Sequence, residues 1–347
     1  MIFTVMKAEI PMKRIPSTGM LIFGLALLCA LPATGEKKPQ LEKPLAGPRA
    51  AALRVTWLYI APDTTAQKVD KVQIGREMVV AEKSGPWIRV YANTDMVELR
   101  QRDTPEFGSD DTPPISGWME AKGVVVETTA NGDQVLMGEA ANQESLASDP
   151  RGPANAAQSA RLLYRRVVEM YPNSPLTPEA AWRAADIQWQ LWRADAATRP
   201  SAKAKEAYLR DQIDEEEIKK VIKLYPHSRQ ADLAAFNLID NQLCGDWQGS
   251  EKCPEKEAEI YEKYAAAHPD GPRTAQALYQ AVYRQAVLAD MFAADGNDNK
   301  SNSAKSHARD LAARLKDHFA QSDYAWRAGA LVYKLDEGIP VYGIDRE

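Results

Sequence analysis

The chain is poor in the residues from which most enzyme centres are built. Among 347 residues there are three cysteines and four histidines. The histidines are His227, His268, His307 and His318, and none belongs to an H-E-x-x-H pair or stands at metal-ligand spacing from a cysteine. This argues against zinc-protease and zinc-finger chemistry. There is no glycine-rich phosphate loop and no G-x-S-x-G, so nucleotide hydrolysis on a P-loop and the nucleophile-elbow hydrolases also go. Asp295-x-Asn297-x-Asn299 starts like a calcium loop, but Lys300 stands where the turn needs glycine and the twelfth position lacks glutamate. It reads as a polar turn. No metal and no cofactor is therefore expected. Positive charge is not concentrated anywhere, and the formal net charge is −5, which argues against a nucleic-acid partner.

Long apolar runs are scarce too. The one of note is Leu21–Leu31, short for a helix that must cross a bilayer. It follows the basic Met12-Lys13-Arg14 and precedes Ala33-Thr34-Gly35, small residues at the positions a signal peptidase reads. Residues 1–35 are thus predicted to be a cleaved secretory signal, leaving Glu36 first and the protein periplasmic or secreted. Membrane attachment is expected only if that segment is retained. Lys7, Lys13 and Arg14 outweigh Glu9 there, so the chain beyond has a formal charge of −7 against −5 for the whole. Of the cysteines, Cys244 and Cys253 follow the signal. They are separated by a glycine-containing loop, and in an oxidising compartment they are predicted to pair.

Residues 36–50, with proline and lysine but no periodicity, read as a linker. From residue 51 the texture becomes short apolar runs between turn residues: LRVTWLYI, KVQI, EMVVAEK, WIRVYA and GVVVET. Five such runs predict a small barrel. Leu58-Tyr59-Ile60, Pro62, Gly75 with Met78-Val79-Val80, Gly85-x-Trp87-x-x-Val90 and Gly117-Trp118 together resemble a bacterial SH3 domain over residues 51–127, interrupted by an acidic, proline-containing insertion at 93–116. That resemblance implies binding of cell-wall peptide or of a protein, with Tyr59, Trp87 and Trp118 as candidate contacts beside their packing role, and Trp57 among the same aromatics.

Residues 128–347 carry a repeat. Helical sequence breaks at Tyr171-Pro172-Asn173-Ser174, Tyr225-Pro226-His227-Ser228, His268-Pro269-Asp270-Gly271 and Phe319-Ala320-Gln321-Ser322. Proline ends the helix, and the polar residue beyond can cap the next. After the breaks come the sets Trp182, Ala185, Trp189; Phe236, Ile239, Leu243; Tyr279, Val282, Ala286; and Trp326, Gly329, Tyr333, each predicted to share one packing face. A charged amphipathic helix is expected over 203–225, with Ile213, Ile218, Val221 and Leu224 facing inward. Ala160, Tyr164 and Pro172, with Trp182-x2-Ala185-Asp186-x2-Trp189, resemble the tetratricopeptide pattern, although the breaks lie 54, 43 and 51 residues apart rather than at the family's spacing of about 34. The expected fold class is therefore multidomain, a small all-β SH3-like barrel plus an all-α tetratricopeptide-like array. The resemblance implies a protein partner on the first helices of the pairs. There Arg183, Asn237, Asn241, Gln280 and Arg284 form a row of N–H donors suited to a peptide.

Two functions follow as expectations. The first is an exported, non-enzymatic interaction or scaffold protein of the bacterial cell envelope, whose partner is a protein, a peptide or peptidoglycan. The alternative is a peptidoglycan hydrolase or the regulatory subunit of one.

Overall fold

A computed structural model describes residues 46–95, 115–247 and 249–342. The predicted signal, most of the linker and most of the 93–116 insertion lie outside the described residues. Seven strands come first: β1 (Arg49–Ala52), β2 (Thr56–Tyr59), β3 (Lys68–Val72), β4 (Glu77–Ser84), β5 (Trp87–Ala92), β6 (Ile115–Glu120) and β7 (Val124–Val126). They form one antiparallel sheet in the order β3-β2-β6-β5-β4-β1-β7. Among the described residues the sheet is open, with edges at β3 and β7, where the sequence pattern predicted a closed barrel. Two strands account for the difference. β6 enters between β2 and β5, and β1 enters between β4 and β7. β1 lies partly in the segment read as a linker, and its Ala50, Ala51 and Ala52 are fully buried. Small side chains are needed there because both faces of the strand are covered. Ala50 and Ala52 join Leu58, Met78, Ile88, Val90 and Met119 on one side, while Ala51 joins the helical core on the other.

Nine α-helices follow among the described residues: α1 (Gly132–Ser148), α2 (Ala156–Met170), α3 (Thr177–Ala197), α4 (Glu216–Leu224), α5 (Arg229–Asn237), α6 (Lys252–Ala267), α7 (Thr274–Ala294), α8 (Asp298–His318) and α9 (Asp323–Asp336). α1 packs on α2, and the pairs α2/α3, α4/α5, α6/α7 and α8/α9 each meet across one of the breaks found in the sequence. The breaks share a backbone solution. Tyr171, Tyr225, His268 and Phe319 close their helices at φ between −133° and −126° and ψ between 40° and 63°, each donating its N–H four residues back. Thr177 Oγ1 donates to the carbonyl of Tyr171, and Thr274 Oγ1 makes the equivalent bond to His268. Ser228, Asn297 and Ser322 cap α5, α8 and α9 with side-chain oxygens. This common solution makes the helices a repeat-like array.

The stretch predicted as one helix over 203–225 is α-helical only from Glu216, with a 3-10 turn ahead of it at Ala207–Leu209. Before it Arg210 reaches the carbonyls of Leu243 and Cys244, and Asn241 holds the backbone of Ile213 from both sides. These bonds draw the chain out in extended form. Ile213, Ile218 and Val221 are buried as predicted, but Leu224 is exposed, as it lies on the outer side of the short α4. The Cys244 and Cys253 sulfurs are at bonding distance, with Cα atoms 6.0 Å apart. Among the described residues no helix is long and apolar enough to cross a membrane.

Sheet and helices share a core. Ala51 and Val125 of the sheet pack with Leu136, Ala140, Leu163, Tyr164 and Val167 of α1 and α2, and the described residues belong to one compact unit. Gly75 shows how close the approach is. Its φ is +76°, its N–H donates to Ala52, and a Cβ there would lie 2.7 Å from Cβ of Leu162. Beside it Arg166 of α2, fully buried, donates to Glu77 and Asp95 of the sheet side at 3.0 Å each and pairs with Glu169 at 2.7 Å. Arg49 closes the cluster on Glu77 and Glu169.

Candidate functional site

Alternation along the strands sorts the sheet into two faces. Leu58, Ile88, Val90 and Met119 point into the core. Their neighbours point outward, and cross-strand register lines them up. Lys68 lies opposite Tyr59, Tyr59 opposite Trp118, Trp118 opposite Arg89, and Arg89 opposite Glu82. One continuous row thus crosses β3, β2, β6, β5 and β4. Trp87 flanks the row, its ring edge-on to Tyr59 with centroids 5.7 Å apart. Tyr59, Trp87 and Trp118 are each half-buried, so each offers an edge to solvent while its body packs. The structure brings together all three of the aromatic candidates in this region.

Trp57 extends the surface towards the β3 edge and is more open, at 37% exposure. The ammonium groups of Lys68 and Lys71 stand 4.7 and 4.6 Å from its ring centroid. Arg89 is held by Ser116 Oγ at 3.4 Å. On the opposite rim Glu120 pairs with Arg54 at 3.2 Å. The result is a shallow aromatic floor with Lys68 and Lys71 at its β3 end and Arg89, Glu82 and the Arg54-paired Glu120 along the rest of its border. Such a floor can stack flat groups and pair with a ligand's carboxylates and amines. Nothing in the local sequence pattern marks Lys68 or Arg89 as contributors. Only the strand register shows them, because each lies opposite an aromatic on a neighbouring strand.

The donor row of the helices is placed differently. Asn237 donates to Asp186 at 2.6 Å, and Asn241 to the carbonyl of Ile213 at 2.8 Å and to Glu215 at 2.9 Å. Arg183 bonds Glu179 and Glu144 and lies over the Trp182 ring. Arg284 is buried, with Glu257 at 3.0 Å and the Gln280 side chain in contact. Glu257 also accepts from the Cys244 N–H and the Trp247 indole, so the loop closed by the cysteines is tied to α7 through this one carboxylate. Arg183, Asn237, Asn241 and Arg284 thus each bond another helix or loop of the array, and Gln280 bonds Arg284 within α7. His268, in the third break, meets Asp232 at 2.7 Å and stacks on Tyr264. Asn297 of the aspartate-rich turn accepts the Lys300 N–H as a helix cap.

No protein-family model matches the chain, and no curated relative does. Among solved structures the chain is similar to a de novo designed helical repeat protein, at 15% identity and a TM-score of 0.23, over 60% of this chain and 95% of that one. A likeness this low carries no argument about function.

Proposed function

We propose that the protein is an exported, non-catalytic interaction protein of the bacterial cell envelope. Its sheet, which resembles a bacterial SH3 domain in its turn and aromatic positions, takes cell-wall peptide or a peptide segment of another protein. Its tetratricopeptide-like array carries a protein partner. The observation that supports this most is the cross-strand row Lys68–Tyr59–Trp118–Arg89–Glu82, flanked by Trp57 and Trp87. An exposed aromatic floor with charges of both signs at its rim suits a zwitterionic peptide lying across the strands. The bonded cysteine pair fits an oxidising compartment and hence the signal read in residues 1–35.

Purified cell wall provides the test. The exported chain should sediment with the wall and release no soluble fragments. Trp57→Ala and Arg89→Ala, both at exposed positions, should weaken sedimentation about fivefold to tenfold with the melting temperature unchanged. Release of soluble fragments would make the protein a hydrolase instead. Sedimentation indifferent to both substitutions would remove the sheet face from the account.

A further inference from the structure

The repeat face that begins with the aromatic is covered three times and then left open. Trp182, Ala185 and Trp189 of α3 pack under Ile218 and Val221 of α4 and under Leu233 and Ala234 of α5. Phe236 of α5 meets Tyr261 and Tyr264 of α6. Tyr279, Val282 and Ala286 of α7 pack in the cluster that holds Ala304, Ala308 and Leu311 of α8, and Tyr279 stacks near Tyr324 of α9. In each case the cover comes from the repeat that follows. Trp326, Gly329 and Tyr333 occupy the same positions on α9, and among the described residues nothing of a further repeat lies over them. Trp326 is 64% exposed and Tyr333 62%. α9 is held from its other side by Ala328, Leu331 and Leu335. The sequence pattern predicted a packed face at these three positions, and the structure turns that face outward. An outer face left to solvent is ordinarily polar in a repeat array, and this one carries two large aromatics.

We infer that this face of α9 is the contact between two copies of the protein, meeting tail to tail about a twofold axis. Three observations choose a second copy. The other end of the array is already covered, because α1 and α2 lie against Ala51 and Val125 of the sheet. A head-to-tail stack is therefore blocked, and an isologous pairing is what remains for like chains. The face is also self-complementary. Trp326, Gly329, Ala330 and Tyr333 form one stripe that reads aromatic, small, small, aromatic. An antiparallel copy centred between Gly329 and Ala330 places each Trp326 beside the partner's Tyr333, with the small residues at the crossing, where the backbones can come close. A Cβ at Gly329 would meet nothing within 4 Å, so that space is open to an approaching helix. Finally, the charges Arg327 and Arg309 beside the face are paired within the chain, with Asp323 and Asp336, and the exposed Lys334 and Glu337 lie towards the end of the stripe, away from its Gly329–Ala330 centre. The pairing would carry two sheet faces on one particle, whatever ligand those faces take.

A single helix of 14 residues is ~21 Å long, and its footprint falls below the ~800 Å² per partner of a standard interface. The dimer should accordingly be weak, with a Kd of roughly 10–500 µM. Sedimentation velocity of the exported chain across that range should show a concentration-dependent monomer–dimer equilibrium. Trp326→Glu should weaken it at least about tenfold without altering the helical signal or the melting temperature. Gly329→Cys should cross-link to a covalent dimer under mild oxidation, and Gly138→Cys, an equally open glycine on α1, should not. A chain that stays monomeric throughout the range, a dimer indifferent to Trp326→Glu, or equal cross-linking at Gly138 and Gly329 would each overturn the inference. So would a monomer whose Trp326 face binds a helix of a different protein.

Discussion

Arg166→Met should lower stability by about 3–5 kcal/mol, because it strips the counter-charge from carboxylates that water does not reach. Asp95 and Arg166 have fully buried side chains, and Glu77 is 11% exposed. Arg49 still holds Glu77 after the change, but Asp95 is left with Arg76 at 3.7 Å. The double variant Arg166→Met with Asp95→Leu should recover more than half of the loss, since removing both members of a buried pair costs far less than removing one. Because the cluster ties β4 to α2, urea unfolding of Arg166→Met should still show sheet and helix signals falling together. An unchanged midpoint, or a sheet that melts while the helices stand, would contradict a shared core.

The same cluster sets an acid limit. Burial pushes the Glu77 carboxyl up, but the Arg49 hydrogen bond and the charges of Arg166 and Arg49 outweigh it and hold the group below its usual 4.5. A carboxyl depressed in the folded state stabilises the fold above its unfolded value. That contribution begins to fall as the pH drops below about 4.5 and disappears as the pH passes through the lower folded value. Glu77→Gln should flatten this part of the stability profile.

Trp182→Ala should cost about 3–5 kcal/mol. The ring is 7% exposed and fills the space between α3 and the next repeat. Trp182→Phe should cost less than half as much, because the Trp182 indole N–H has no acceptor to lose. The indole of Trp189, by contrast, donates to Asp240 at 3.1 Å. The decisive comparison is Trp326→Ala. It lies at the equivalent repeat position but in solvent, and in dilute solution it should change stability by less than about 0.5 kcal/mol. Thermal and urea melts of the three variants check the register. A Trp182→Ala variant as stable as the parent, or a Trp326→Ala loss of the same size, would mean the repeats are misaligned.

What the sequence made legible follows from what is local. The four helix breaks and the paired cysteines are decided within a few residues of chain and stand where the pattern put them, and of the polar residues beyond the breaks Ser228 and Ser322 cap the next helix while Ser174 does not. Three aromatics of the sheet were also within reach, as their strands alternate. β1 was hidden because RAAA has neither alternation nor branched side chains, and its strand character comes from being covered on both sides. Arg166 was hidden because its acceptors Glu77 and Asp95 lie 89 and 71 residues away, so along α2 it reads as one more surface arginine. The intramolecular partners of Asn241 and Arg284 were hidden for the same reason, at 28 and 27 residues' distance. Trp326 and Tyr333 show a different limit. Periodicity identifies the face a repeat offers to its neighbour, and it does not say whether that face is covered.

The claim that the outer face of the sheet takes the ligand can be read residue by residue. The chain has eight tryptophans, each with one indole N–H. Titrating the exported chain, labelled with nitrogen-15 at tryptophan, with soluble peptide fragments of purified cell wall should shift the indole signals of Trp57, Trp87 and Trp118. Those of Trp182, Trp189 and Trp247, which lie in the array, should stay in place. Shifts confined to the array tryptophans, or no shift at millimolar fragment, would contradict the account.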